Sequence, residues 1–266
     1  MYKYLPDTLE RVYFAVTCDG TVTTPYEIDI CVDPTNIPER RMATGRYDSN
    51  EVEFFIEKIE KYDYNSFADV GGYVGFYSML FHKLTGGTVD IFEPVPWNAA
   101  RAKQNKLVND FENIIVHELA VNNESGTEKL NFSPELAIEA TIQNETYSGR
   151  ENRSLVVPTE TLDNIYNNRD YPDLIKIDVE GNELPVIKGS IEVLKHSPDL
   201  FIELHQSIIN EPHKELEDIS KILSTKGYRK FYHLESDSVF EIERLDTCLA
   251  EVAEQTHIFV SPSLSK

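Results

Sequence analysis

The chain has 266 residues, long enough to bury one sizeable core, and a composition of 41% hydrophobic and 27% charged residues marks an ordinary globular protein. Lys+Arg 25 against Asp+Glu 46 leaves a formal net charge of -21, which repels polyphosphate and anionic surfaces and argues against nucleic acid as a partner. Such an acidic surface would also suit a salt-rich cytoplasm.

Cys18, Cys31 and Cys248 are odd in number, widely spaced and in no Cys-x-x-Cys pattern, so neither a disulfide framework nor a structural zinc site is indicated. The apolar stretch from Val12 to Val16 is too short for a signal peptide or a membrane span. The expectation is a cytoplasmic protein without a transmembrane segment.

In chain order, residues 1–65 read as an N-terminal extension lying over the site. Alternation in Arg11–Val16 and in Tyr26–Val32 predicts a hairpin, and Glu51–Lys61 predicts a helix. Residues 66–266 read as one α/β domain, because short apolar runs alternate with amphipathic stretches, the pattern of β-α-β units feeding a parallel sheet. Its first unit is a strand over Ser66–Val70, a glycine turn, and a helix over Phe76–Leu84 that stops at Gly86-Gly87. Its second is a strand over Thr88–Phe92 and a helix over Trp97–Val108.

A third strand is predicted over Ile114–His117, followed by an insertion at about 125–157 that opens with a turn and a strand over Glu128–Phe132. Leu174–Val179 and Leu200–His205 are the most strand-like runs of the second half, separated by a helix over Glu183–Lys195. After a helix over Lys214–Leu223, strands over Tyr228–Leu234 and Thr256–Ser261 close the sheet as an antiparallel edge pair.

A glycine turn between a first strand and its helix lets a ligand approach the backbone, and an acid at the end of the second strand can hold ribose hydroxyls. Asp69, Gly71, Gly75 and Glu93 occupy those positions. The dinucleotide fingerprint G-x-G-x-x-G is incomplete, since Val70 stands where its first glycine would be. A carboxylate at Asp69 also suits the cationic amino group of S-adenosylmethionine better than a pyrophosphate. The methyl donor is favoured over NAD, although a turn of this kind is also often just a turn.

Alternation along a strand sets Lys176, Asp178 and Glu180 on one side, and the neighbouring run ends in Glu203 and His205. Ionisable groups are costly in a central parallel strand unless paired. Ligands in open α/β sheets bind outside the carboxyl ends of the strands, where these groups would gather. A structural ion-pair network, Lys176 with Glu203 for example, and a merely satisfied His205 are the alternative readings.

Four blocks, Asp69-Val70-Gly71-Gly72-Tyr73-Val74-Gly75, Phe92-Glu93-Pro94, Lys176-Ile177-Asp178-Val179-Glu180-Gly181-Asn182-Glu183 and Glu203-Leu204-His205, resemble in order and spacing the FkbM family of methyltransferases. The resemblance extends over roughly Ser66–His205. It implies a Rossmann-like class I methyltransferase fold, with a mostly parallel seven-stranded sheet and helices on both faces. It also implies S-adenosyl-L-methionine as donor and an O-methylated hydroxyl acceptor on a sugar, glycan or glycosylated natural product.

Carried over by position, Asp69, Gly71 and Gly75 would line the methionine part of the cofactor, with Gly72 and Tyr73 also among the cofactor-binding residues and Tyr73 closing over the cofactor or reaching the acceptor pocket. Glu93 and Pro94 would face the ribose, Glu118 and Leu119 would flank adenine, and Asp178 would sit beside the transferred methyl. The chain departs from the family's usual Asp-Val-Gly-Ala-Asn-Ile-Gly at Gly72 and Tyr73. The candidate catalytic groups are Lys176, Asp178, Glu180 and His205, with His205 or Glu180 as base and Lys176 orienting a carboxylate or steadying an alkoxide. Asp178, Glu180 and Glu203 would suit Mg2+ or Mn2+, although no metal-spacing motif demands one. An NAD-linked oxidoreductase and a non-catalytic cofactor-binding protein are the competing functions.

Overall fold

The structure, a computed structural model, describes residues 20–133, 136–141, 153–249 and 255–264. In chain order the strands are β1 (Thr21–Thr23), β2 (Asp29–Cys31), β3 (Ser66–Val70), β4 (Thr88–Phe92), β5 (Ile114–His117), β6 (Ala120–Val121), β7 (Gly126–Ser133), β8 (Leu136–Thr141), β9 (Arg153–Glu160), β10 (Leu174–Ile177), β11 (Asp199–His205), β12 (Lys230–His233), β13 (Ser238–Glu241) and β14 (Gln255–Val260). The α-helices are α1 (Ile37–Thr44), α2 (Ser49–Lys61), α3 (Phe76–Thr85), α4 (Pro96–Val108), α5 (Leu162–Ile165), α6 (Glu183–Lys188), α7 (Pro212–Thr225) and α8 (Leu245–Leu249).

Among the described residues the central sheet has eight strands in the order β13-β12-β14-β11-β10-β3-β4-β5. β5, β4, β3, β10 and β11 run parallel, while β14 pairs antiparallel with both β11 and β12. The expected seven strands are therefore present, and the count is corrected to eight by β13. That strand pairs antiparallel with β12 at the outer edge and was missed because it is short, partly exposed and carries no buried stripe.

Alternation along the strands puts an apolar layer on each face. On one face Ala68, Val70, Ile175, Ile177, Leu200, Ile202 and Leu204 pack with Leu216, Ile219 and Leu223 of α7. On the other, Phe67, Ile91, Leu174, Phe201 and Phe259 pack with Val52, Phe55 and Ile59 of α2 and with Met79, Leu80 and Phe81 of α3. Val52, Phe55 and Ile59 recur at three- and four-residue spacing, which is why the segment coils as an amphipathic helix. Each such side chain buried completely contributes about 1.5–3 kcal/mol.

The helix expected over Glu183–Lys195 is shorter, α6 ending at Lys188 with a separate 3-10 turn at Val193–His196. The reason is steric: a Cβ at Gly189 would lie 2.0 Å from the carbonyl oxygen of Asn122, so a neighbouring chain crosses where the helix would continue. The insertion folds as a second sheet in the order β6-β9-β7-β8, with β7 antiparallel to β9 from Gly126↔Thr159 to Phe132↔Arg153. Its last strand runs through Glu160, beyond the expected limit at Val157.

The strand read in Tyr26–Val32 is β2, but its partner is β1, with Thr21 opposite Cys31. The expected partner, Arg11–Val16, lies outside the described residues. α1, unread in the sequence, starts at Asn36, whose side chain accepts from Glu39 N, and stops at Gly45 in the left-handed region.

Asparagines on α4 hold β2 against the domain. Cys31 N donates to Asn105 Oδ1 at 2.8 Å and Asp29 N to Asn109 Oδ1 at 2.8 Å, while Asn105 Nδ2 donates to Val74 O at 2.8 Å. Asn105 is fully buried, so its amide ties β2 to the glycine turn. Asn105→Ala should leave a buried N–H and a buried C=O unpaired and lower stability by about 2 kcal/mol or more. Urea unfolding checks this as a lower midpoint at unchanged slope; a loss under about 0.5 kcal/mol would show that the tie does not matter.

Candidate functional site

β3 and β10 lie in parallel register, with Asp69 opposite Lys176 and Val70 opposite Ile177, so the glycine turn after β3 meets the residues after β10. The approach is very close. Gly71 adopts φ +83, and a Cβ there would fall 1.7 Å from Asp178 O. Gly75, at φ +81, turns the chain into α3. Tyr73 takes φ 49 between them, an uncommon conformation for an aromatic residue.

Glu93 ends β4 and clasps the turn. Its Oε2 accepts from Tyr73 N at 2.9 Å and its Oε1 from Val95 N at 2.8 Å. Burial raises its carboxyl to about 8 in spite of those bonds. Tyr73 turns its hydroxyl to Asn36, whose Nδ2 donates to it at 2.5 Å. The aromatic ring thereby links the turn to the segment before α1. Asp69 is buried, accepts from Ser78 Oγ at 2.6 Å through Oδ2, and its Oδ1 has no partner. Burial raises its carboxyl, with Lys176 opposing.

Across the strand ends the ionisable groups form one network. Lys176 Nζ lies 2.6 Å from Asp178 Oδ2 and 4.9 Å from the centre of the Tyr77 ring. Burial works against the Lys176 ammonium, but Asp178, Asp69 and Glu203 together hold its pKa above the ordinary value. Burial likewise works against the Asp178 carboxylate, and Lys176 followed by His205 holds it below its usual range. The ion pair considered in the sequence, Lys176 with Glu203, is instead Lys176 with Asp178.

His205 sits behind this pair. Its Nδ1 is 2.8 Å from Glu183 Oε1, and its Nε2 is 3.5 Å from both Glu180 Oε2 and Glu203 Oε1. Despite burial, the Glu183 hydrogen bond and the surrounding carboxylates raise the imidazole to about 10, so it stays protonated at neutral pH. Glu180 is in the left-handed region at φ 51, and burial pushes its carboxyl up to about 8. β10 ends at Ile177, so Glu180 belongs to the turn and not to the strand.

These groups open onto a cavity of about 310 Å³, the low end of the range for small-molecule sites. Val70, Gly71, Tyr73, Glu93, Pro94, Asp178, Glu180 and Glu203 line it, whereas Lys176 and His205 lie behind its wall. Gly72 and Gly75 shape the turn without lining the cavity; a Cβ on Gly72 would meet Ile91 Cγ2 at 2.5 Å. Glu118 pairs with Lys103 at the surface and Leu119 packs on the core, and it is the next two residues, Ala120 and Val121, that reach the cavity.

Several lining residues escaped the sequence reading. Pro38, Arg41, Tyr47 and Asp48 reach the cavity from α1 and the link to α2, and Leu130 from the second sheet. Asp48 stands at φ 37 and burial raises its carboxyl to about 6. His257 also joins the network, opposite Glu203 in register, with Nε2 3.3 Å from Glu203 Oε2 and Nδ1 2.8 Å from Glu235 Oε1.

Of the oxygen donors expected for a metal, Asp178 and Glu203 come together with His205 rather than with Glu180, their ligand atoms lying within 4.8 Å of one another. Lys176 and His257 already compensate those two carboxylates. The donor set therefore fits a divalent ion less well than its oxygen count suggests.

The model of the Methyltransferase FkbM domain matches residues 69–230, from the acid before the glycine turn to the start of β12. The hexuronic acid methyltransferase AglP of Haloferax volcanii is 25% identical over 207 residues, covering 77% of this chain and 80% of that protein. The solved Methyltransferase FkbM of Methylobacillus flagellatus is 19% identical with a TM-score of 0.47, the match covering 74% of this chain and 44% of that longer one. The METTL16 MTase domain has a TM-score of 0.51 at 12% identity, covering 96% of this chain and 78% of that one, a likeness of fold. No helix among the described residues is long and apolar enough to cross a membrane. The family match spans more than half of the chain and includes the turn, the Glu93 clasp and the strand-end acids, so this protein belongs to the FkbM family of methyltransferases.

Proposed function

We propose that the chain transfers a methyl group from S-adenosyl-L-methionine to a hydroxyl of a sugar or glycan. The observation that carries this reading is that one cavity brings together the glycine turn, Glu93 and the strand-end acids Asp178, Glu180 and Glu203. Glu93 Oε2 accepts a single hydrogen bond, from Tyr73 N, while Oε1 accepts from Val95 N and Asn98 Nδ2, so Oε2 keeps capacity for a ribose hydroxyl. Gly71 is bare where a side chain would fill the space beside Asp178. The likeness to a hexuronic acid methyltransferase supports a sugar as acceptor.

The donor supplies an already activated methyl, and the residues of the chain have to align the acceptor oxygen and remove its proton. Asp178, held ionised by Lys176, places a fixed negative charge beside the sulfonium end. Glu180 lines the cavity and titrates near neutrality, so it is the base of this reading. His205, clamped by Glu183 and protonated, is assigned the part of positioning Glu180 and Glu203 rather than taking the proton.

Calorimetric titration should show binding of S-adenosylmethionine and no heat with NAD, and Glu93→Ala should weaken the donor about tenfold or more. Binding of NAD alone would favour the oxidoreductase, and tight donor binding without turnover on any acidic or neutral sugar would favour a non-catalytic protein. A methyl-transfer assay in metal-free buffer should retain full turnover; loss restored by Mg2+ or Mn2+ would move Asp178, Glu203 and His205 to metal ligation.

A base must be unprotonated, and burial raises the Glu180 carboxyl, so the rate should climb with pH through about 8 and then level. Glu180→Gln should remove that limb and lower kcat by about 100- to 10,000-fold. A variant that keeps the rising limb would locate the base elsewhere.

A further inference from the structure

Among the described residues, the charged side chains lining the cavity are five acids, Asp48, Glu93, Asp178, Glu180 and Glu203, and one cation, Arg41. Arg41 lies in the last turn of α1, exposed to solvent, and among the described residues its guanidinium has no hydrogen bond or ion pair. The neighbouring arginines are engaged: Arg40 Nη1 donates to Pro34 O at 2.8 Å, and Arg46 Nε donates to Thr44 Oγ1 at 3.1 Å. Arg41 lines the same cavity as five carboxyl groups and, among the described residues, pairs with none of them.

We propose that Arg41 recognises a carboxylate of the acceptor and thereby selects an acidic sugar, a uronic acid, over its neutral counterpart. The inference rests on the sugar methyltransferase reading above. A planar guanidinium matches a carboxylate with two parallel N–H···O bonds, a geometry that no hydroxyl of a neutral hexose can repeat. The acidic wall gives the residue its purpose. Lys176 and His257 are already engaged with Asp178 and Glu203 behind the wall, so among the described lining residues Arg41 is the cation left to pair with an entering carboxylate. Two neighbours relax the conflict further, since burial raises the Glu93 and Glu180 carboxyls to about 8 and leaves them largely uncharged at neutral pH.

One carboxylate chemistry has two sources here, the acceptor and the methionine part of the donor, and the arms of the test separate them. The intact protein, with and without saturating S-adenosylhomocysteine, is titrated with an oligosaccharide ending in glucuronic acid and with the same oligosaccharide after carboxyl reduction. Wild type should bind the acidic form about tenfold or more tightly, Arg41→Ala should erase that ratio, and Arg41→Lys should keep part of it. Affinity for S-adenosylmethionine should stay within about twofold in both variants.

The proposal is overturned if wild type does not discriminate, or if Arg41→Ala keeps the discrimination. It is equally overturned if Arg41→Ala loses donor affinity instead, because the guanidinium would then hold the donor's own carboxylate. Arg41 is exposed, so neither variant endangers the fold. Because the readout is sugar binding, it stands apart from the cofactor reading: selective uronate binding without any donor binding would sink the latter and leave Arg41 its role.

Discussion

The closeness of the β3 and β10 strand ends governs the rest of the site. Asp178 N donates to Val70 O at 2.9 Å, continuing the parallel ladder one step past the strand, and Gly71 turns away immediately above Asp178 O. Only a residue without Cβ fits there, and only a positive φ carries the chain onward into the helix. The consequence reaches across the sheet. Because the two strand ends are locked in register, Asp69 and Lys176 are neighbours, Asp178 stands under the turn, and Glu93 can reach back to clasp Tyr73 N.

A site assembled this way concentrates ionisable groups where water is scarce, and the fold answers with paired charges. Lys176 holds Asp178, Glu183 holds His205, and His257 bridges Glu203 and Glu235. Buried pairs of this kind contribute little net stability, since desolvation opposes the attraction. Removing one member is a different matter, because it leaves its partner charged and without compensation. The network is better understood as a fixed electrostatic frame than as a source of stability, and its ionisation states, Asp178 low and Glu180 high, separate two carboxyls only two residues apart.

The parts legible in the sequence are those dictated by local pattern. Ser66–Val70, Thr88–Phe92 and Ile114–His117 have the same limits in the structure as in the reading, because each is a short run bounded by turn residues. Acids and a histidine at the ends of β10 and β11 were visible because charge is out of place in such strands. What local pattern cannot carry is register and crossing. His257 faces Glu203 only through antiparallel pairing of segments some fifty residues apart in the chain. The helix after Glu183 stops at its C-cap Gly189, where the backbone at Asn122 leaves no room for a Cβ. The contact of His205 Nδ1 with the Glu183 carboxylate is likewise set by tertiary packing and not by the strand pattern.

The contribution of α1 and its link to α2 was the least legible for a related reason. Pro38, Arg41, Tyr47 and Asp48 share no motif, and what brings them to the cavity is the docking of β2 on α4 and the contact of Tyr73 with Asn36. This matters for how a chain of net charge -21 handles an anionic ligand. Screening confines the field of surface charges to about 8 Å at physiological ionic strength, so the overall charge slows the encounter more than it decides the bound state. Within the cavity the balance is local, set by the pairs Lys176 with Asp178 and His257 with Glu203 and by Arg41 in the lining.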